Sequence, residues 1–577
     1  MGVISANRRN VLAGAGVLLL NPDRFALGQP LPKRIIGALE EDPPMINPAI
    51  TTIISSFGAG CPVYGALTWI NPNREIHPEL AERWEATPDG KTYTFYLRRN
   101  VVWHDGTPFT SADVKWSFEN ATAKLHPWGK GALRSLDTVD ASDPHVAVVR
   151  LKIPSAALMS AMSNSISAIL PKHLWEGTDL TRNPHNKQPI GTGPFKMVEY
   201  IPGDRIRYVK NDKFYIPGQP EFDELVLRIM PDAAARLAAF EKGELDMLYN
   251  NALPYTEIPR ISKLPKVDTV ASDVSGAAII GVINTKAPPY DDKRVRQALA
   301  HAIDRNFIST NVMPGISQIM VGPLPRGFPL CNESLKDYEF DSAKANQMLD
   351  AAGYPRKADG TRFEFRLLWA AGDLRSTKMA DVIQQNLSAV GIAAKLQPLE
   401  RSALNQRGFI GEQFDMIIDS YALGPDPDIG TERLYNTNNI LKPPGVFSNN
   451  SSYSNPELDK LFDAQRVELD FHKRKEIYDK IQEIIWDAMV ILPLVGYSGV
   501  SVYRNTAMTN AFQAADGSKE SFARVKLPAV AAATPATESA GNMPWMVAAG
   551  VAVVAAGSFL LWRRSRSGDQ EPDDEPT

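Results

Sequence analysis

The sequence predicts an α/β protein with several mixed sheets, and three stretches carry that prediction. In the first, Thr87-Pro88-Asp89-Gly90 is a strong turn signal, and residues 92–97 then alternate with Tyr93, Phe95 and Leu97 on one face. In the second, Asp232 is placed to cap a helix that turns Leu237 and Phe240 inward. Gly243 ends that helix, and residues 245–248 read as a strand. In the third, Ser376 is placed to cap a longer helix with Met379, Val382, Ile383 and Leu387 on one face. Gly391 stops it, and a strand resumes at residues 392–396. Thr110 and Asp113 have capping-box spacing ahead of Val114 and Phe118, and residues 341–353 and 456–489 read as helical.

Composition bounds the function. Hydrophobic residues at 44% and charged residues at 22% suit a globular chain, and 577 residues suffice for about three domains or lobes. The net charge of −4 offers no broad basic field, which disfavours nucleic acid as a partner. Two cysteines, Cys61 and Cys331, exclude a disulfide scaffold and a four-thiolate metal site. They form one bridge in an oxidising compartment or stay as two thiols, and the sequence leaves both open.

Both ends carry targeting signals. Asn7-Arg8-Arg9-Asn10 precedes a short apolar run to Leu20, and Ala26-Leu27-Gly28 has small residues where a signal peptidase reads. Residues 1–28 therefore read as an export signal of the twin-arginine kind. Residues 545–562 are apolar or small, begin and end on tryptophan, and are followed by Arg563, Arg564 and Arg566. At about 1.5 Å per residue this stretch just spans hydrocarbon, with the basic tail 563–577 in the cytoplasm. Residues 528–544, rich in Pro, Ala and Thr, read as a tether. The expected location is thus the outer, periplasmic or extracellular, face of the cytoplasmic membrane, anchored by a C-terminal transmembrane helix.

Motifs for chemistry are mostly missing. No phosphate-cradling G-x-x-x-x-G-K-[ST] and no H-E-x-x-H occurs. Gly496-Tyr497-Ser498-Gly499 misses nucleophile-elbow spacing by one residue. Gly191-Thr192-Gly193 lacks the third glycine of a dinucleotide loop. The histidines are scattered rather than paired at ligand spacing. No cofactor and no metal site is expected, and an enzyme is disfavoured.

Several ordered blocks resemble one family. The longest runs from Leu80-Ala81-Glu82-Arg83-Trp84-Glu85 through Asp89-Gly90-Lys91-Thr92-Tyr93-Thr94-Phe95 to Trp103-His104-Asp105-Gly106-Thr107-Pro108-Phe109-Thr110. Others are Gly191-Thr192-Gly193-Pro194-Phe195, Asn284-Thr285-Lys286 with Val295-Arg296-Gln297-Ala298-Leu299, Gly424-Pro425-Asp426-Pro427-Asp428, and Tyr453-Ser454-Asn455-Pro456. Together they are similar to extracellular solute-binding proteins of family 5, which serve dipeptide, oligopeptide and nickel ABC importers. The resemblance implies a two-lobed periplasmic-binding-protein-like clamp with an extra small domain, of the cluster C type. By similarity, lobe I is 30–75, 190–280 and 495–527, the extra domain 76–189, and lobe II 284–494. It implies capture of a peptide-like small molecule and delivery to ABC permease and ATPase subunits. A membrane-tethered ligand sensor and a nickel-type metal-chelate binder are the alternatives.

The resemblance also points to a site. In peptide-binding relatives an aromatic residue is followed three positions on by an aspartate, which pairs with the peptide's α-ammonium, and then by an acid-proline pair. Here the aromatic is Tyr421 and the acid-proline pair Asp426-Pro427. The aspartate position falls on Leu423 or Gly424, neither of them acidic. Asp426 and Asp428 are near enough to substitute, although the family pattern has them bracing the loop. Tyr64, in a segment similar to a cleft-lining stretch, and Trp369, after an apolar strand, are further candidate ligand contacts. Free-amine peptides are expected to bind weakly, and a carboxylate introduced at 423 or 424 is expected to strengthen them.

Overall fold

The structure is a computed structural model that describes residues 33–528, except 250–251, 272–276, 442–444, 447 and 516–519. The expected export signal 1–28, span 545–562 and tail 563–577 lie outside the described residues, as does the tether 528–544 apart from Pro528. Among the described residues no helix is long and apolar enough to cross a membrane.

The strand expected at Thr92–Leu97 forms, and its alternation is realised as burial of Tyr93, Phe95 and Leu97. It lies in a four-stranded sheet ordered Ala81–Ala86, Thr92–Leu97, Val146–Leu151, Leu136–Asp143. The helix Ser111–Trp116 packs Val114 against this sheet in a core shared with Phe118 and Val149. The Thr110 N–H donates to Asp113 Oδ2 at 2.9 Å, half of the capping box that the spacing implied.

A second core holds two sheets together. Arg34–Leu39 pairs parallel with Glu224–Ile229, which continues antiparallel through Arg205–Lys210 to Phe195–Ile201. Val500–Arg504 sits between Met247–Leu248 and Val267–Ala271. Asp232 caps Ala233–Lys242 by accepting from the Ala235 N–H at 2.7 Å. Gly243 takes φ 80°, and Phe240 enters the core with Tyr208 and Val502.

The third region is a six-stranded sheet in the order Ser317–Ile319, Ile491–Tyr497, Ala277–Ile283, Met416–Ala422, Phe363–Ala370, Ile392–Leu399. Both faces are covered. Ile279, Trp369 and Ile418 face one core, while Ala278, Ile280, Leu368 and Ile417 face the other. The helix Leu374–Ala389 is capped by Asp373 rather than by Ser376, whose hydroxyl donates to Asp373 Oδ2 at 2.8 Å. The helical stretch at 456–489 is two helices, Pro456–Val467 and Phe471–Ala488, because Asp470 starts a new N-terminus by accepting from the Lys473 N–H at 3.0 Å.

Two connections link the second and third regions. Ile491–Tyr497 belongs to the six-stranded sheet, yet Val500–Arg504, separated from it by only two residues, belongs to the other lobe. Val267–Ala271 and Ala277–Ile283 are divided the same way. The six-stranded sheet therefore draws in 277–283 and 491–497, and its strands reach outside the expected span 284–494.

Candidate ligand cleft

A cavity of about 1030 Å³ opens where the three regions meet. Phe57, from the short helix Ile54–Gly60, and the hairpin strand Thr68–Ile70 supply one wall, with Trp69 prominent. Trp128, Ser163 and Asn164 come from the extra domain. Tyr421, Gly424, Arg433 and Tyr497 come from the six-stranded lobe, and Glu520 and Arg524 from the final described segment. Aromatic walls with a few polar groups give contact area with orientation, which is the ordinary make-up of a small-molecule site.

The residues singled out by sequence divide into two groups. Tyr421, Gly424 and Asp426 line the cavity. Tyr421 ends the strand Met416–Ala422, and the Arg433 guanidinium lies 5.9 Å from its ring centre. Tyr64, Trp369, Leu423 and Asp428 are not among the cavity-lining residues. Tyr64 is wholly buried in the core of the first lobe, and burial drives its hydroxyl far above the usual tyrosine range. Trp369 faces the side of its sheet covered by the helix Leu374–Ala389, where its Nε1–H donates to Thr377 Oγ1 at 3.0 Å. Leu423 packs with Tyr421 and Tyr478 in the opposite core.

The two aspartates are structural braces. Arg474 donates from Nη1 to Asp426 Oδ2 at 2.8 Å and from Nη2 to Asp426 Oδ1 at 2.7 Å. Asp426 also caps Pro427–Gly430 by accepting from the Asp428 N–H at 2.9 Å. Asp428 is held by Arg134 Nη2 at 2.6 Å and by the Gln465 side-chain amide. Burial raises the Asp428 carboxyl, but Arg134, a hydrogen bond from Glu432 and Arg466 outweigh it and hold it below the usual range. Glu432 takes the opposite course and is pushed up to about 7 by burial and by the Asp428 charge. Cys61 and Cys331 are both buried thiols with no bridge between them. Cys61 caps Ile54–Gly60 in the first lobe, and Cys331 packs in the core of the six-stranded lobe.

Sequence reasoning missed several cleft residues. Trp69, Arg74, Glu79, Trp128, Arg433 and Arg524 all line the cavity. Arg74 stacks its guanidinium 4.2 Å from the Phe328 ring centre and donates to the Pro425 carbonyl at 3.4 Å, linking the hairpin turn to the other lobe. Arg524 lies 3.7 Å from the ring centre of Trp69. Glu79 is 5% exposed, and burial pushes its carboxyl up to about 7 against the opposing charge of Arg524. Glu79 does stand beside a legible feature, since it directly precedes the Leu80-Ala81-Glu82 block. Among the described residues, no group of three or more His, Cys, Asp or Glu side chains is placed to hold a metal ion.

This architecture, two lobes joined by a pair of strand connections and meeting with a small domain around a cleft, defines the class of two-lobed solute-binding clamps. The model of the bacterial extracellular solute-binding proteins, family 5 (middle), matches residues 75–442, and the chain belongs to that family. It is similar to the dipeptide-binding protein of Escherichia coli, at 28% identity over 484 residues covering 79% of this chain and 88% of the relative. It is also similar to heme-binding protein A of Haemophilus influenzae, at 28% over 451 residues covering 74% and 80%. Among solved structures it resembles an ABC transporter-associated periplasmic binding protein from Helicobacter pylori in complex with the peptide STSA. That likeness has a TM-score of 0.72 and 26% identity, and it covers 86% of this chain and 98% of the other.

Proposed function

We propose that this chain is the solute-capturing component of an ABC importer, closing its lobes on a peptide-like small molecule and passing it to the permease without chemical change. The observation that carries this reading is the 1030 Å³ cleft, lined from both lobes and the small domain and bridged by two short strand connections. A clamp of this kind needs only to bind solute better closed than open. Its relatives' names, dipeptide- and heme-binding, favour a carrier and leave the solute open. Tyr421, Gly424 and Asp426 contribute shape and bracing to the site, while Trp69, Trp128 and Arg433 contribute contact. The paired arginines Arg8-Arg9 and the apolar run 545–562 favour export and tethering at the outer face of the membrane.

The test is mass spectrometry of small molecules released from the purified chain, followed by calorimetric titration with each. Recovery of a peptide-like compound that rebinds in equal stoichiometry and leaves unchanged supports the reading. A released compound that the chain cleaves overturns it.

A further inference from the structure

The cleft has a charge pattern that narrows its solute. Among the described residues three acids line it, namely Glu79, Asp426 and Glu520. Asp426 is closed off by Arg474, as described above. The carboxylate of Glu520 accepts the backbone N–H groups of Gln513 at 2.6 Å and Phe522 at 2.8 Å. Among the described residues, Glu79 is the cavity-lining acid whose Oε2 is buried without a hydrogen-bond partner. Among the described residues the basic lining groups are Arg74, Lys130, Arg433, Arg474 and Arg524. With Arg474 matched to Asp426, bases outnumber acids among these described residues. The Arg524 guanidinium lies 3.7 Å from the Trp69 ring centre, and its charge is the largest counterweight on Glu79.

Glu79 is held beside the Trp69 strand by its own N–H, which donates to the Leu67 carbonyl at 3.1 Å. We propose that Glu79 and Arg524, whose guanidinium lies over the ring of Trp69, form a subsite that receives a carboxylate group of the captured solute. The proposal rests on the solute-binding reading and deepens it by naming the chemistry of one end of the ligand. An unpaired buried carboxyl oxygen is costly, and a solute group that satisfies it recovers that cost on binding. A carboxylate can accept from Glu79 in its protonated form and from the Arg524 guanidinium at once, a charge-assisted arrangement. An ammonium group would instead meet Arg524 and Arg98 at the same spot.

Four titratable groups bear on Glu79. Arg524 and Arg98 lower it, Glu520 raises it, and Tyr215 is itself driven up by burial and by the Glu79 charge. With its carboxyl lifted to about 7, Glu79 holds its proton in mild acid and loses it in mild base. The sign follows: affinity for a carboxylate falls as pH rises through that region, because the ionised Glu79 repels it.

The test uses the full chain in detergent with three small aromatic probes, benzoate, benzamide and benzylamine, titrated by calorimetry at about pH 5.5 and about pH 8.5. Benzoate is expected to bind best and to weaken roughly tenfold or more between the two conditions. Glu79→Gln should keep benzoate binding and flatten its pH dependence. Arg524→Met, at a half-buried position, should weaken benzoate roughly tenfold or more. Preference for benzylamine, failure of benzoate to bind, or benzoate binding indifferent to pH and to Arg524→Met would overturn the proposal. A dipeptide library titrated alongside separates the two readings. Peptides that bind where benzoate fails leave the importer reading standing and sink only this subsite.

Discussion

Arg474 and Asp426 face each other through two parallel N–H···O bonds of 2.8 and 2.7 Å, with side-chain exposures of only 7% and 10%. Arg474 also donates to Gln465 Oε1 at 2.9 Å. An acid locked this way already has its charge matched by a guanidinium, so little attraction is left over for a ligand's ammonium. Asp426→Ala would leave the arginine charge buried and uncompensated, which typically costs about 3–5 kcal/mol. Urea unfolding should show the midpoint falling accordingly. An unchanged midpoint would mean that the pair is solvated in solution and that Asp426 is available to the solute after all.

The same loop decides what happens at the missing aspartate. Leu423 is 2% exposed and packed beside Tyr421, so the carboxylate of Leu423→Asp would enter a core rather than the cleft. Gly424 does line the cavity, but it has φ 80°, and a Cβ there would stand 3.3 Å from the Gly430 nitrogen. The sequence-based expectation that an acid at either position strengthens free-amine peptides is therefore revised. Leu423→Asp should cost about 3 kcal/mol or more in stability and add no affinity. Gly424→Asp should cost about 1 kcal/mol or more from backbone strain. Thermal melts and calorimetry with a dipeptide and its N-acetylated form check both. A Leu423→Asp chain that stays stable and binds the free dipeptide more tightly would refute this account.

Arg134 ties the extra domain to the six-stranded lobe. Its Nη2 lies 2.6 Å from Asp428 Oδ2 and 2.9 Å from Glu432 Oε2, and Ile429 from the same loop enters the core of the extra domain. Arg466 shares Glu432 at 2.6 Å, so the acids keep one partner when the other is lost. Arg134→Ala should then cost about 1.5–3 kcal/mol rather than the full penalty of an orphaned buried charge. It should also raise hydrogen exchange in 426–432 more than in the sheet cores. Uniform exchange changes across the chain would argue against a local staple.

The fold was legible where burial is one-sided. Thr92–Leu97 is inward on one face only, so its period of two names Tyr93, Phe95 and Leu97 directly. Phe363–Ala370 is covered on both faces, and there the alternation carries no information about side. Trp369 falls with Phe365 and Leu367 on the face packed by the helix Leu374–Ala389, and it is not among the cavity-lining residues. The loop at 423–430 shows the same limit in another form. The spacing of its acids was readable, but their partners Arg134, Gln465 and Arg474 come from distant segments. The cleft residues Glu79 and Arg524 come from opposite ends of the body, and no local pattern announces that they line one cavity. The break at Glu468-Leu469-Asp470 was missed because no Gly or Pro marks it, only a capping aspartate.

Glu79 also couples the stability of the fold to pH. Its carboxyl stands at about 7 in the folded chain against an ordinary 4.5. A raised acid binds its proton more tightly when folded, so between those two values the unfolded chain has ionised while the folded one has not. Stability from this group is therefore fully present below about 4.5 and is lost as pH rises towards about 7. The full swing is at most about 3 kcal/mol. Glu79→Gln removes the titration but keeps the shape, so any packing or hydrogen-bond cost of the amide is the same at every pH. The stability of Glu79→Gln relative to the parent should thus improve steadily from about pH 4.5 to about pH 7 and then level off. Contributions from Glu432 are present in both chains and cancel. Urea midpoints of the two proteins across that range measure the difference directly. Parallel curves would mean that Glu79 titrates alike in the folded and unfolded chains, with the cost of burial cancelled by a cationic partner such as Arg524.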